Sequence, residues 1–126
     1  MDEIRTRKAL KDHAGLEAEF LQEIAEALGN AGERLEQAVA LVEESAGRIG
    51  KLEGMLHCQP GEQERESLLG ALREEIALYN HRRGKALEQY RWLIIHREAV
   101  GFRNHKVVAE QYNIPPAMKM PQRVIP

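Results

Sequence analysis

Few side chains in this 126-residue chain are spaced for chemistry. His96, Glu98 and His105 lie near one another in sequence, and His57 adjoins Cys58. Imidazole, carboxylate and thiolate all bind zinc, but a structural zinc site takes about four of them in a tetrahedral array. No pair here has a chelating interval. On one continuous helix, His96 and His105 would project about 180° apart. Cys58 is the lone cysteine, so an intrachain disulfide is excluded. A catalytic thiol also needs an oriented base and an oxyanion site, and the tip of a helical hairpin has no wall to supply them. The many carboxylates suit solvent-facing helix surfaces, and no glycine-rich phosphate-binding loop is present. These residues predict no enzyme, no metal site and no cofactor.

Three other groups invite a binding role. Asn80-His81-Arg82-Arg83-Gly84-Lys85 is a basic run. Arg82, Lys85 and nearby Arg91 form a candidate basic patch for phosphates, with affinity that falls steeply in salt. The alternative is pairing with acidic neighbours across a hairpin. Arg83 and Arg97 fall at apolar seam positions. There the stems are expected to pack while the guanidinium groups reach Glu36 or Glu23. Ile114-Pro115-Pro116, with Met118, Met120, Val124 and Ile125, suits an extended segment that docks on a partner or along its own chain.

The elements that would position these groups are helices. The chain is 43% apolar and 30% charged, a balance that fits long amphipathic helices rather than disorder. The N-terminal residues lack the apolar stretch of a secretory signal. No run approaches the roughly 18 apolar residues of a membrane span, so a cytoplasmic protein without membrane contact is expected. Charge is split unevenly. Residues 1–79 hold 9 Lys/Arg and 17 Asp/Glu, whereas residues 80–126 hold 9 Lys/Arg and 3 Asp/Glu. Either the second half has an acidic partner, or the two halves partner each other.

Periodicity favours the second reading. Leu10, Ala14, Glu17, Leu21, Ile24, Leu28, Ala31, Leu35, Ala38, Val42, Ser45, Ile49, Leu52 and Leu56 keep an unbroken spacing of 4 and 3. Leu69, Leu72, Ile76, Tyr79, Arg83, Ala86, Tyr90, Leu93, Arg97 and Val100 do the same. Sustained spacing of this kind marks a coiled coil. The heptad phase passes through Gly29-Asn30-Ala31-Gly32 unchanged, so one continuous helix is expected there. Pro60-Gly61 breaks the pattern, and Glu62, Glu64 and Glu66 suit the start of a second helix.

The expected fold is therefore all-α: a long antiparallel coiled-coil hairpin over residues 1–112. It has a helix over about 3–57, a turn at about 58–61, a helix over about 62–111, and an extended tail over 113–126. Folding at Pro60-Gly61 pairs residues whose numbers sum to 121, such as Leu72 with Ile49, Tyr79 with Val42 and Val100 with Leu21. One edge of this hairpin stays apolar. Val39 and Ala25 on the first helix join Leu87 and Ile94 on the second, and residues 86–102 add Trp92, Ile95 and Phe102. A long apolar edge is normally covered, by a second hairpin in a homodimeric four-helix bundle or by the tail. These seven residues are the candidate interaction surface. They point to a protein-binding or assembly role, adaptor or small chaperone-like, with nucleic-acid association as the alternative.

Overall fold

A computed structural model describes residues 2–121. The final residues, with Val124 and Ile125, lie outside them. Two long helices dominate: α1 spans Asp2–His57 and α2 spans Glu62–Ala99. A short helix, α3, spans Lys106–Gln111. The long helices pack against each other as an antiparallel hairpin, and no strand occurs among the described residues.

α1 runs through Gly29 and Gly32 without interruption, as the preserved heptad phase predicts. It ends where Gln59 takes a positive φ of 52°. Left-handed backbone at a helix C-terminus is ordinarily the place of glycine. Gly61, next to Pro60, has an ordinary φ of −58° and opens α2, whose Arg65 N–H donates to the Gly61 carbonyl at 2.8 Å.

The core follows the seam. Val42, Ile49, Leu72, Ile76, Tyr79 and Ala86 form one buried cluster; Ala31, Leu35, Leu93 and Val108 form another. Leu72 and Ile49 fall in the same cluster, as do Tyr79 and Val42. Tyr90 with Ala31 and Leu93 with Leu28 fall together in the other. Tyr90 beside Ala31 sets a large side chain against a small one, whereas Leu72 with Ile49 and Leu93 with Leu28 pack aliphatic on aliphatic. Ser45 is the buried polar exception among the described residues. Its hydroxyl accepts from Arg82 Nη1 at 2.9 Å, and the same nitrogen reaches the Leu41 carbonyl at 3.2 Å.

The second helix is shorter than its sequence pattern suggests. It ends at Ala99 and does not run to residue 111. Gly101 lies at φ 100°, a conformation glycine adopts freely and other residues rarely do. Phe102 N–H donates to the Arg97 carbonyl at 2.9 Å and Gly101 N–H to the Glu98 carbonyl at 3.0 Å. These two bonds make a Schellman ending, with glycine at C′ and an apolar residue just beyond. Asn104 Oδ1 then accepts from Lys106 N–H at 3.0 Å and starts α3. The chain doubles back, and Val108 is buried with Ala31, Leu35 and Leu93.

This ending leaves α1 unmatched. In the 121 register, Ala99 stands beside residue 22 of α1. Roughly 20 residues of α1 therefore project beyond the end of α2, about 30 Å of helix. The seam pair Val100 with Leu21 consequently does not close: Leu21 remains 64% exposed.

Candidate interaction surface

The C-terminal segment is strapped along the hairpin through its backbone. Tyr79 is buried, and its hydroxyl donates to the Pro116 carbonyl at 3.0 Å. Arg83 Nε donates to the Pro115 carbonyl at 2.7 Å. The Asn80 side chain bonds both the N–H and the C=O of Met118. Pro115, which lacks an N–H, still offers its carbonyl, so α2 reads the strap mainly through acceptors. Ile114 and Met118 pack against the core clusters.

The seam arginines thus do not do what their spacing suggests. Arg83 does not reach Glu36; it holds Pro115. Arg97 does not reach Glu23. Its Nε donates to His105 Nδ1 at 3.3 Å, its Nη2 to the Asn104 carbonyl at 3.2 Å, and its guanidinium stacks 4.8 Å from the centre of the Phe102 ring. With Nδ1 accepting, His105 carries its proton on Nε2 and donates to Glu98 Oε1 at 3.2 Å. His105 and Glu98 meet because the chain turns at Gly101, whereas His96 lies apart, against Trp92 with ring centres 6.2 Å apart. Among the described residues, no three His, Cys, Asp or Glu are grouped to hold a metal ion. Cys58 is exposed at the hairpin tip.

The strap divides the seven residues of the candidate surface. Val39 packs against both core clusters, Ile94 packs against the second, and Leu87 lines a shallow recess with Tyr90, Tyr112 and Ile114. The Tyr112 hydroxyl sits over Gly32 on the same edge. This edge is therefore covered by the chain itself. Ala25, Trp92, Ile95 and Phe102 remain exposed, the last three at about half of their full area.

The larger apolar surface lies elsewhere. Leu10, Leu16, Phe20 and Leu21 are each more than 60% exposed on the projecting part of α1. Where that part meets the end of α2, a cleft of about 720 Å³ opens. Phe20, Leu21, Ile24, Ala25 and Leu28 of α1 line it, together with His96, Ala99, Val100 and Phe102 from the end of α2 and the turn after it. Spacing alone placed Leu10 and Leu21 on a seam but assumed a partner helix inside the chain. The missed signal was Gly101-Phe102, read as helix interior when it is a C′–C″ pair.

The basic patch is only partly free. Arg82 is turned inward to Ser45 and Leu41 and lies 3.8 Å from Glu44. Lys85 pairs with Glu88 on its own helix at 3.7 Å, and Arg91 is exposed. Cross-hairpin pairing of acidic and basic halves is thin: Arg82 with Glu44 has the expected sense, but Arg48 with Glu75, at 3.7 Å, has the reverse. No described helix is long and apolar enough to cross a membrane.

No family model matches the sequence, and neither a curated protein nor a solved structure is similar to it at a significant level.

Proposed function

We propose that this chain is a non-enzymatic helical interaction protein that assembles through the projecting end of α1. One observation carries the reading: α1 outruns α2, and Leu10, Leu16 and Leu21 on the part that projects stay exposed among the described residues. Water is a poor environment for Leu10, Leu21 and Phe20 together. Clustered apolar exposure of this size is typical of contact surfaces. Self-association is the form we assign to it, since the unpartnered seam continues the heptad phase that already binds α2 within the chain. A four-helix bundle built on the Val39 and Leu87 edge has less support, because the strap occupies that edge. Nucleic-acid binding through Arg82, Lys85 and Arg91 also has less support, because Arg82 and Lys85 are engaged within the chain.

Sedimentation equilibrium tests the reading. The full chain should exceed monomer mass at micromolar concentration, and Leu21→Ser should shift it back toward the monomer. A wild-type chain that stays monomeric at hundreds of micromolar would overturn the proposal.

A further inference from the structure

The projecting part of α1 has a matching length of chain within the protein itself. Its seam runs from Leu10 to Leu21, twelve residues, and the same spacing carried back before Leu10 meets Arg7 and Glu3. Beyond the end of α2 the heptad spacing continues through Val100, Asn104, Val107 and Gln111, before Ile114-Pro115-Pro116 forbids helix. Residues 100–111 are also twelve. In the 121 register of the packed hairpin they fall level with residues 10–21, beyond the stretch of α1 that α2 already covers.

An α2 extended in that register would set Val100 against Leu21, Asn104 against Glu17, Val107 against Ala14 and Gln111 against Leu10. Glu17, the one carboxylate on that stretch of seam, falls opposite Asn104, whose amide can donate to it. Val107 is 67% exposed on α3 and Leu21 is 64% exposed on α1, and extension shields both. The segment is already helical at its far end, where α3 spans Lys106–Gln111. The joint at residues 100–105 must change, and glycine sits within it. Gly101 takes φ 100° in the turn and takes a helical φ at a modest entropic cost.

We propose that residues 100–111 are a two-position element. In one position they fold back and bring the strap over Val39, Leu87 and Ile94. In the other they extend α2 and close the projecting seam of the same chain, with Val107 against Ala14. Four hydrogen bonds from Tyr79, Asn80 and Arg83 to the backbone of Pro115, Pro116 and Met118, with the burial of Val108, hold the first position. Burial of Leu21, Val100 and Val107 holds the second. One segment serves both, so closing the seam uncovers the strapped edge, as a bistable element requires. The consequence for assembly rests on the self-association reading above: strapping leaves the seam open to a second copy, and extension withdraws it.

Disulfide trapping in the full chain carrying Cys58→Ser, Ala14→Cys and Val107→Cys, in a glutathione redox buffer, tests it. In the strapped position Val107 adjoins Val108, which packs with Ala31, about 25 Å along α1 from Ala14. The expected result is an intrachain disulfide, formed several-fold faster when Asn80→Ala loosens the strap or Gly101→Ala favours helix at the joint. Chains that stay helical by circular dichroism but give no intrachain disulfide with either change, or give interchain disulfide alone, would overturn the two-position element and leave the assembly reading standing. Sedimentation of the trapped chain tests the consequence. It should be monomeric at concentrations where the reduced chain assembles. Equal mass for the trapped and reduced chains would overturn the seam as the assembly surface, while the disulfide still supports the two positions.

Discussion

Asn80 and Met118 exchange two hydrogen bonds: Asn80 Nδ2 donates to the Met118 carbonyl at 2.9 Å, and Met118 N–H donates to Asn80 Oδ1 at 3.0 Å. One side-chain amide thereby takes the place of a neighbouring strand. It satisfies both backbone groups of a residue in an extended segment with no strand beside it. A side-chain amide carries an N–H donor and a C=O acceptor side by side in one plane without a charge.

Asn80→Ala should lose both bonds and destabilise the chain by about 1–3 kcal/mol. Asn80→Asp should be at least as damaging, because it keeps the acceptor but sets a carboxylate against the Met118 carbonyl. Denaturant unfolding gives the loss. Hydrogen exchange should show it concentrated around Met118, with the α1–α2 seam near Ile49 and Leu72 still protected.

Tyr79→Phe keeps the buried ring and removes the hydroxyl that binds Pro116. The expected cost is about 1 kcal/mol. Faster exchange in residues 112–118 should accompany it. An unchanged exchange pattern would mean that the hydroxyl does not secure the strap.

Glycines at two positions should respond in opposite directions. Gly101 sits at φ 100°, where any side chain is strained, so Gly101→Ala should cost about 1–3 kcal/mol. Gly50 lies inside α1 with open space where a Cβ would be. Gly50→Ala should stabilise the chain by about 0.5–1 kcal/mol. Thermal unfolding of the two variants reads both signs.

Gln59 holds a left-handed backbone without being glycine, and the proline that follows disfavours helical φ and ψ at the same residue. Gln59→Gly removes that strain and should raise stability by up to about 1 kcal/mol. A loss of stability would mean that the Gln59 side chain contributes more than its backbone costs.

Much of the hairpin was legible because it is periodic. Leu28 through Leu56 and Leu69 through Leu93 keep one heptad phase, and those positions are the ones the fold shields from water. The phase also carried α1 correctly through Gly29 and Gly32. What periodicity could not express is contact with a non-periodic segment. Arg83 and Arg97 were read against glutamates on the facing helix, yet both bind C-terminal carbonyls. Those acceptors belong to backbone with no repeat to read. The end of α2 was missed for a related reason: apolar residues continue through Phe102 and resume at Val107 and Val108, so composition argued for helix while Gly101 alone argued against it. That single residue decided the surface. By ending α2 at Ala99, it freed the first part of α1 and brought the strap back over Val39, Leu87 and Ile94.

The projecting end of α1 is proposed as the place where two copies of this protein meet. Hydrogen exchange at low and high protein concentration tests it most directly. Amides of residues 8–24 should gain protection as concentration rises, while those of Tyr79, Asn80 and Met118 stay unchanged. Protection that appears instead around Trp92 and Ile95, or no concentration dependence anywhere, would contradict the account.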